Sequence, residues 1–387
     1  MKRKIAIVTG SRADYGYLYP LFKEVMDNGD LILQLYVTGM HLVRTYGSSE
    51  DEIKKNGFDC VIKIDMGMKY KNTLKTIGYG ISKGIRNFVD SFLKDTPDIV
   101  IVFGDRIEAF TAAIAASSLN LPLAHIAGGD VASGDIDDNL RHAITKLSHL
   151  HFVMSKQSEQ RVLKLGEEKW RVFQVGALSL DRILNNSFDK GKFLHMYGFP
   201  IKPLLLVLYH PLTTEINGAV AQIKIVMNAA VEIAKRHSME IVVIYPNYYP
   251  GASNSISYVQ SLKKRFSDIR IIKNLSHEDF ITLMSCSRVF IGNSSSGIIE
   301  SPSLGIPYVS IGTRQKTREQ ASNVIDVACQ KNEIIEAIHK ALFDTAFLKI
   351  VKKRKTPYGN GTATKQIVQV LQTITLNTTL LQKHMTY

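Results

Sequence analysis

Acidic residues collect in the segment 104–142, at positions where a folded chain would bring them to a ligand. Asp105 follows directly after one apolar run, and Asp130 follows a second apolar stretch that contains His125. In an open α/β sheet, ligands bind in the crevice outside the carboxyl ends of the strands. Carboxylates delivered there by two neighbouring strands can act as general acids and bases. A single loop aspartate is usually just solvated, but a cluster of them predicts a proton-transfer site.

The same segment continues with further ionisable residues, namely Asp135, Asp137, Asp138, Arg141 and His142. His142 and His149 are seven positions apart, so the two would lie near one face of a helix. Neither of them, nor His151, has a metal-ligand spacing with the acids. We therefore expect packing or capping roles for these histidines and no metal site.

A serine- and glycine-containing segment in the second half has the composition of an anion-binding loop. IGNSSSGIIE, from Ile291 to Glu300, follows an apolar strand and opens a helix, where free backbone N–H groups and the helix dipole favour an anion. A serine N-cap would explain one serine, but not three serines with two glycines. We predict a diphosphate site here, with Glu300 accepting hydrogen bonds from sugar hydroxyls.

Other polar residues also follow predicted strands. Arg12, in the run TGSRADYG at 9–16, offers a fork-shaped contact to phosphate, although a plain strand-to-helix turn explains this run equally well. Arg314 would share a sheet edge with the diphosphate site, and His210 and Asn247 lie at the ends of two other strands. A functional and a structural role are equally open for His210.

Short apolar runs that alternate with helical patterns must position these residues. We predict strands at 4–9, 32–38, 60–64, 99–103, 122–126, 151–154, 204–209, 240–245, 270–272, 288–291 and 307–311. We predict helices at 17–28, 73–94, 107–118, 217–237, 255–267, 277–286, 295–303 and 363–383. Strands that alternate with helices indicate parallel, doubly wound sheets.

The resulting fold class is α/β, with two Rossmann-like domains facing a cleft. We place an N-terminal domain with the catalytic acids at 1–180, a second domain at 181–365, and a C-terminal helix and tail at 366–387 that packs back on the N-terminal domain. The G-x-G-x-x-G fingerprint of dinucleotide binding is missing, so NAD is not favoured.

Composition excludes several classes of protein. A chain of 387 residues, 45% of them hydrophobic, suits about two globular domains. Its three cysteines are widely spaced, which excludes a disulfide framework and fits a reduced, cytoplasmic setting. No run approaches the roughly 18 apolar residues of a membrane span. The net charge of +13 is scattered rather than striped, so we expect an anionic small ligand and no nucleic acid.

Taken together, seven motifs resemble those of the hydrolysing UDP-N-acetylglucosamine 2-epimerases of sialic-acid-type biosynthesis. They are TGSRADYG, GDRIE, HIAGGD, DDNLRHAITKLSHLHF, YHP, GNSSSGIIE and GTRQ, spread over about residues 4–330. The resemblance implies a GT-B-like fold, a UDP-sugar substrate, UDP as a product, no cofactor, and a homo-oligomer that is a dimer or a tetramer. It also implies that UDP-GlcNAc and water give N-acetylmannosamine and UDP, through anti elimination to 2-acetamidoglucal followed by hydration.

The resemblance further implies residue roles. Catalytic roles fall to Asp105, Asp130, Asp137 and His210. UDP contacts fall to Arg12, Arg106, His210, Asn247, Ser294, Ser295, Glu300 and Arg314. The C2–H of the substrate is a poor acid because no carbonyl is beside it. Cleavage of the C1–O bond must therefore be at least as advanced as removal of the C2 proton in the transition state. Carboxylates then serve both as bases and as stabilisers of the positive charge at C1, and which of them removes the C2 proton stays open.

Two positions depart from the family pattern. Ala127 stands where relatives often have His, and Asp130 stands where they have Glu. A smaller side chain would accommodate the extra acetamido group of UDP-N,N'-diacetylbacillosamine, the substrate of a sister group of hydrolysing epimerases on the way to legionaminic acid. That activity is the first alternative. A GT-B glycosyltransferase is a more distant one, which the crowd of carboxylates between 105 and 138 disfavours.

Overall fold

The chain folds into two compact units, each built on a parallel sheet. The computed structural model describes residues 2–43, 53–68, 74–131, 137–199, 202–212, 218–246, 252–273 and 275–387. The first unit contains the described residues before 131, the segment 137–182 and Tyr358–Tyr387. The second contains Val131 and the described part of Ile183–Pro357. Parallel strands joined by helices confirm the predicted α/β class with two Rossmann-like units.

The first unit has a seven-stranded sheet in the order β3-β2-β1-β4-β5-β6-β7. Its strands are β1 Arg3–Thr9, β2 Leu31–Thr38, β3 Val61–Ile64, β4 Ile99–Phe103, β5 Leu123–Ile126, β6 Leu150–Val153 and β7 Val172–Gln174. The chain moves outward from β1 to β3 and then continues on the other side of β1 with β4. This reversal between β1 and β4 is the topological switch point, where ligands bind in open α/β sheets.

Helices cover the faces of this sheet. They are Arg12–Asp27, Leu74–Lys94, Ile107–Ser118, Asp137–Leu147, Lys156–Lys164, Ala363–Thr373 and Thr378–Leu381, with short 3-10 turns at Gly39–Leu42 and Lys169–Arg171. The helix Ile107–Ser118 presents five alanines to the core, and such small side chains let a helix approach the strands closely. The helix Leu178–Asn185 leads the chain out of the first unit.

The second unit has a six-stranded parallel sheet in the order β10-β9-β8-β11-β12-β13. Its strands are β8 Leu204–Leu208, β9 Glu240–Ile244, β10 Ile269–Ile272, β11 Ser287–Gly292, β12 Tyr308–Ile311 and β13 Val324–Val327. Its helices are Lys190–Met196, Ala219–Arg236, Ala252–Lys263, His277–Cys286, Ser295–Ile299, Ser301–Leu304, Lys331–Phe343 and Thr345–Val351. The switch point lies between β8 and β11.

Sequence patterns located most of these elements. Every predicted strand is present within one residue of its predicted ends, whereas β7 and β13 were not predicted. Both are short strands at a sheet edge, and short half-buried runs carry little periodic signal. Among the helices of the described residues, none has the length and apolar character needed to cross a bilayer.

Three predicted helices have ends or breaks that are set by local features which the apolar pattern does not show. The first begins at Arg12 rather than 17, since Ser11 caps it. The expected helix at 295–303 is divided at Glu300. The expected helix at 363–383 ends at Thr373, and a separate short helix starts after Asn377, whose side chain accepts from the Leu380 N–H. Side-chain caps by Ser11 and Asn377 set two helix starts, whereas the break at Glu300 precedes Pro302, which has no N–H to continue the first helix.

The domain boundaries differ from the expected ones at both ends of the second unit. Asp181, expected to open the second domain, lies in the first unit. Its carboxylate accepts hydrogen bonds from the N–H groups of Ala363 and Thr364 at 3.0 and 2.6 Å. These hydrogen bonds anchor the start of the helix Ala363–Thr373 to the first unit. The chain accordingly returns to the first unit at Tyr358, before the expected boundary at 365.

A buried guanidinium holds part of the C-terminal tail. Arg171 is fully buried and donates to the carbonyl oxygens of Leu380, Thr379 and Gln382 at 2.6, 2.9 and 2.8 Å. Its Nε also donates to Glu168 at 2.6 Å. The charge is paired and its donors are used, which is the condition under which a buried arginine is tolerated.

We expect Arg171→Met to lower the free energy of unfolding by roughly 3 kcal/mol or more, because carbonyl groups of the tail lose their donor in a buried place. Urea unfolding followed by circular dichroism measures the loss, and limited proteolysis should cut the variant first near its C-terminus. Arg86→Met is the matched control, since the Arg86 side chain is 84% exposed and its loss should change stability by no more than about 0.5 kcal/mol. Equal stability of the two variants would contradict the role given to Arg171.

Candidate functional site

In the first unit, the expected catalytic acids follow neighbouring strands. Asp105 comes after β4 and Asp130 after β5, and these strands pair in parallel with Phe103 beside Ile126. Both residues therefore lie at the carboxyl edge of the sheet, next to the switch point. Asp137 is the first residue of the helix Asp137–Leu147, and its side chain lies outside the described residues.

A buried arginine joins the acids of this edge. Arg141, on the helix Asp137–Leu147, has a side chain only 4% exposed and forms an ion pair with Asp105. Its Nε lies 3.8 Å from Asp138 Oδ1, and its Nη1 donates to the Ala127 carbonyl at 3.0 Å. The guanidinium thus connects the loops after β4 and β5 to one helix, and Asp105 is held in a single direction.

Sequence reasoning placed Arg141 and Asp138 in the acidic segment but gave neither a role. Their spacing of three residues on a helix was the available signal, because residues three apart lie side by side. The contact between Arg141 and Asp105 had no such signal, since it spans 36 residues and depends on where the helix packs.

Asp130 lies in a tight, buried turn. It is 3% exposed and follows Gly129, which has a φ of +70°. A Cβ on Gly129 would lie 2.2 Å from the Ser158 carbonyl oxygen, so only glycine fits and the chain approaches the helix Lys156–Lys164 closely. The preceding Ala127 is also buried and has a φ of +65°.

The run at 9–16 is a capped turn. Ser11 and Asp14 form a capping box at the start of the helix Arg12–Asp27. The Asp14 carboxylate also accepts from the N–H groups of Gly10 and Tyr15 at 2.9 and 2.8 Å. Because the Asp14 carboxylate already binds these N–H groups, they do not need an anion from a ligand, and the backbone of this run is a strand-to-helix turn. The half-buried Arg12 side chain is the group of this run that can contact a ligand.

Arg106 is held by an acid two residues away. Its Nη2 and Nε donate to the two oxygens of Glu108 at 3.0 and 3.2 Å. Glu108 is 1% exposed, and a Cβ on Gly10 would lie 2.6 Å from its Cγ. Glu108 therefore packs against the backbone of the first loop and orients Arg106, which is a role that sequence reasoning missed.

Two of the three histidines expected to be structural, His149 and His151, have hydrogen-bond partners in the core. His149 Nδ1 accepts from the Leu123 N–H at 3.0 Å, and His151 Nε2 lies 3.0 Å from Glu167 Oε2. Burial lowers the pKa of His149 to about 4. Within the described ranges, no group of three or more His, Cys, Asp or Glu side chains is arranged to hold a metal ion.

In the second unit, one asparagine ties three strand ends together. Asn293, after β11, accepts from the His210 N–H at 2.7 Å and donates to the His210 carbonyl at 2.8 Å. Its own carbonyl accepts from Arg314 Nη1 and Gln315 Nε2, both at 3.0 Å. The loops after β8, β11 and β12 therefore form one rigid edge. Sequence reasoning predicted His210 and Arg314 but not the asparagine between them.

The His210 side chain is neutral in this edge. It is 6% exposed, and burial, with Arg314 nearby, lowers its pKa to about 3. At neutral pH the imidazole carries one proton, so it can donate one hydrogen bond and accept another.

The serine-rich segment combines a helix cap with a buried acid. Ser294 caps the helix Ser295–Ile299 by accepting from the Ser296 N–H at 3.4 Å. Glu300 is fully buried, and its Oε1 lies 3.0 Å from His277 Nε2. Its Oε2 has no hydrogen-bond partner among the described residues. A buried carboxylate oxygen without a partner calls for an explanation, and a ligand hydroxyl would satisfy it. Asn247, the remaining expected UDP contact, lies outside the described residues.

Comparison with known proteins connects the chain to one family. The family model described as UDP-N-acetylglucosamine 2-epimerase matches residues 23–372. The chain is similar to the UDP-N,N'-diacetylbacillosamine 2-epimerase (hydrolyzing) of Legionella pneumophila, with 37% identity and 99% of each chain covered. It is also similar to the UDP-N-acetylglucosamine 2-epimerase of Neisseria meningitidis, with 32% identity over 88% of this chain and 87% of that protein.

A solved structure confirms the fold class. The crystal structure of a Neisseria meningitidis UDP-GlcNAc 2-epimerase bound to UDP-GlcNAc matches with a TM-score of 0.81 and 22% identity, over 96% of this chain and 100% of that one. The similarity establishes the GT-B-like fold expected from the sequence motifs. Together with the family match, it shows that the chain belongs to the UDP-N-acetylglucosamine 2-epimerase family.

Proposed function

We propose that the chain is a hydrolysing 2-epimerase, which converts a UDP-sugar and water into the free 2-epimerised sugar and UDP. The observation that carries this proposal is the placement of Asp105, held by the buried Arg141 at the switch point of the first sheet. The family match supports an epimerase acting on a UDP-sugar. The Legionella pneumophila relative is named as a hydrolysing epimerase, and its similarity to this chain extends over 99% of both sequences. This similarity supports release of UDP.

The chemistry sets what the carboxylates must do. The C2–H is acidified only as the C1–O bond to UDP breaks, because the developing oxocarbenium ion withdraws electrons from C2. Elimination then gives a glycal, and water adds its hydroxyl to C1 while a proton returns to the opposite face of C2. We assign these proton transfers and the stabilisation of positive charge to Asp105, Asp130 and Asp137.

We assign UDP binding chiefly to the second unit. Glu300 would accept from ribose hydroxyls through its free Oε2, and the Arg314 guanidinium would contact the diphosphate. The helix Ser295–Ile299 is only five residues long, so the Ser294 and Ser295 hydroxyls matter more than a helix dipole. His210 and Asn247 complete this set, and Arg12 and Arg106 are the UDP contacts assigned to the first unit.

We propose UDP-N,N'-diacetylbacillosamine as the substrate. The 37% identity to the Legionella pneumophila enzyme, over 99% of each chain, supports this choice. The small side chain of Ala127 also supports this substrate, because it leaves room for the extra acetamido group. Residue 127 is close to the catalytic acids, since its carbonyl accepts a hydrogen bond from Arg141. UDP-GlcNAc is the second candidate, favoured by the similarity to the Neisseria meningitidis enzyme.

We further propose that the enzyme works as a homo-oligomer in the cytoplasm. The helix Leu74–Lys94 supports association, because Tyr79 and Leu93 are 65% and 64% exposed. Packing against a second copy of the chain would remove the apolar surface of these two side chains from water. Sedimentation velocity measures the oligomeric state directly.

Incubation with each UDP-sugar in heavy water, followed by NMR, tests the reaction and the substrate together. We expect free 2-epimerised sugar, free UDP and deuterium at C2, with faster turnover of UDP-N,N'-diacetylbacillosamine than of UDP-GlcNAc. A product that keeps its UDP would instead show a non-hydrolysing epimerase. Transfer of the sugar to an acceptor with C2 untouched would show a glycosyltransferase.

Asp105→Asn should lower kcat by about 10³-fold or more while UDP affinity stays within about threefold, because the carboxylate acts on the sugar and general acid–base groups contribute about 10²–10⁴-fold. Steady-state kinetics and calorimetric titration with UDP measure the two quantities. Asp90→Asn, at a side chain 68% exposed, is the control and should change neither. A loss of UDP affinity as large as the loss of rate would contradict this assignment.

Glu300→Gln should weaken UDP binding, in contrast to Asp105→Asn, which should lower kcat. We expect UDP affinity to fall by roughly 10- to 100-fold, since hydrogen bonds to a charged group contribute about 1.5–3 kcal/mol. Calorimetric titration with UDP gives the value, and Glu336→Gln, at an exposed position of the helix Lys331–Phe343, is the control. Unchanged affinity in the Glu300 variant would exclude this acid from the UDP site.

A further inference from the structure

One buried histidine forms hydrogen bonds near both members of the Asp105–Arg141 ion pair. His125, on β5, is fully buried. Its Nε2 lies 2.7 Å from the Gly104 carbonyl oxygen, and Gly104 directly precedes Asp105. Its Nδ1 lies 3.1 Å from Thr145 Oγ1, and Thr145 is one turn after Arg141 on the same helix.

The protons of this chain of hydrogen bonds can be placed. A carbonyl oxygen only accepts, so His125 Nε2 must carry the hydrogen that points to Gly104. Burial lowers the pKa of His125 to about 3, so the ring is neutral near pH 7 and its Nδ1 has no hydrogen. Nδ1 therefore accepts from the hydroxyl of Thr145. The hydroxyl also donates toward the Arg141 carbonyl at 3.0 Å, so its single hydrogen is shared between that oxygen and Nδ1.

The Gly104 peptide is the part of the chain that this arrangement orients. Gly104 has a φ of +73°, and its N–H donates to the Ile126 carbonyl at 3.0 Å. With its own carbonyl held by His125, the peptide plane leading into Asp105 cannot rotate. At the other side, Thr145 is fully buried and links the ring to the helix that carries Arg141.

We propose that His125 is a positioning residue for the reaction, which fixes the direction of Asp105 and its register with Arg141 through a neutral Nε2–H tautomer. Its effect on the rate rests on the proposed epimerase function, whereas its tautomer does not. A displacement of about 1 Å at a catalytic group costs roughly 10²-fold in rate, so a loss of this support lowers kcat rather than binding.

Two substitutions of His125 distinguish the roles of the two ring nitrogens. In His125→Gln, the side-chain amide reaches the place of Nε2 and can still donate to Gly104, whereas in His125→Asn it reaches only the place of Nδ1. We expect His125→Gln to keep kcat within about threefold of the unsubstituted protein. We expect His125→Asn to lower kcat by about 10²-fold, with KM and UDP affinity changed by less than about threefold.

Thr145→Val is the second variant, because it removes the hydroxyl without changing the shape of the side chain. The loss of one neutral hydrogen bond corresponds to roughly 3- to 10-fold in kcat. Melting temperatures of all variants separate positioning from folding, since a merely structural histidine would show losses of stability that track the losses of rate, and Gln would then be no better than Asn.

NMR of ¹⁵N-histidine-labelled protein tests the tautomer without any substrate. The difference spectrum between the unsubstituted protein and His125→Gln identifies the His125 signals, which we expect to show a protonated Nε2 and an unprotonated Nδ1 near pH 7. Thr145→Val should shift the Nδ1 signal. A protonated Nδ1 would overturn the proposal, as would full kcat in His125→Asn. If the unsubstituted protein shows no turnover of any UDP-sugar while the tautomer is as expected, the proposed function fails and the hydrogen-bond arrangement stands.

Discussion

The burial of Arg141 is the constraint on which the first unit depends. A guanidinium with a side chain 4% exposed must be paired with acids and acceptors, because an unpaired buried charge is very costly. Asp105, Asp138 and the Ala127 carbonyl meet this need. These partners come from the loops after β4 and β5 and from the helix itself, so satisfying one charge also assembles the edge of the sheet where chemistry is expected.

The second unit uses hydrogen bonds instead of an ion pair for the same purpose. Asn293 bonds to both backbone groups of His210 and receives two side-chain donors on its own carbonyl. An amide can donate and accept at once, which lets one residue bind the loops of three strands. The two units therefore offer different chemistry, one an edge of carboxylates around the buried Arg141 and the other an edge of neutral donors and acceptors with Arg314 and the buried Glu300.

Much of the fold follows from local pattern. The strands Ile99–Phe103 and Leu204–Leu208 are uninterrupted apolar runs, and nearly all of their side chains are buried, as such runs predict. The edge strands β7 and β13 were missed because half-exposed runs of three or four residues carry no periodicity. The start of the first helix was misplaced because its signal was the capping pair Ser11 and Asp14, and not an apolar stripe.

The sequence by itself determined the α/β class, the positions of the strand-end polar residues and, through their combined motifs, the epimerase family. These depend on neighbours along the chain, where side-chain type and spacing act directly. Only the tertiary structure decided that Arg141 pairs with Asp105, that Asn293 holds His210 and that His125 bridges Gly104 and Thr145. These contacts join residues on different strands and helices, and they form only when strand order and helix packing bring distant segments to the same sheet edge.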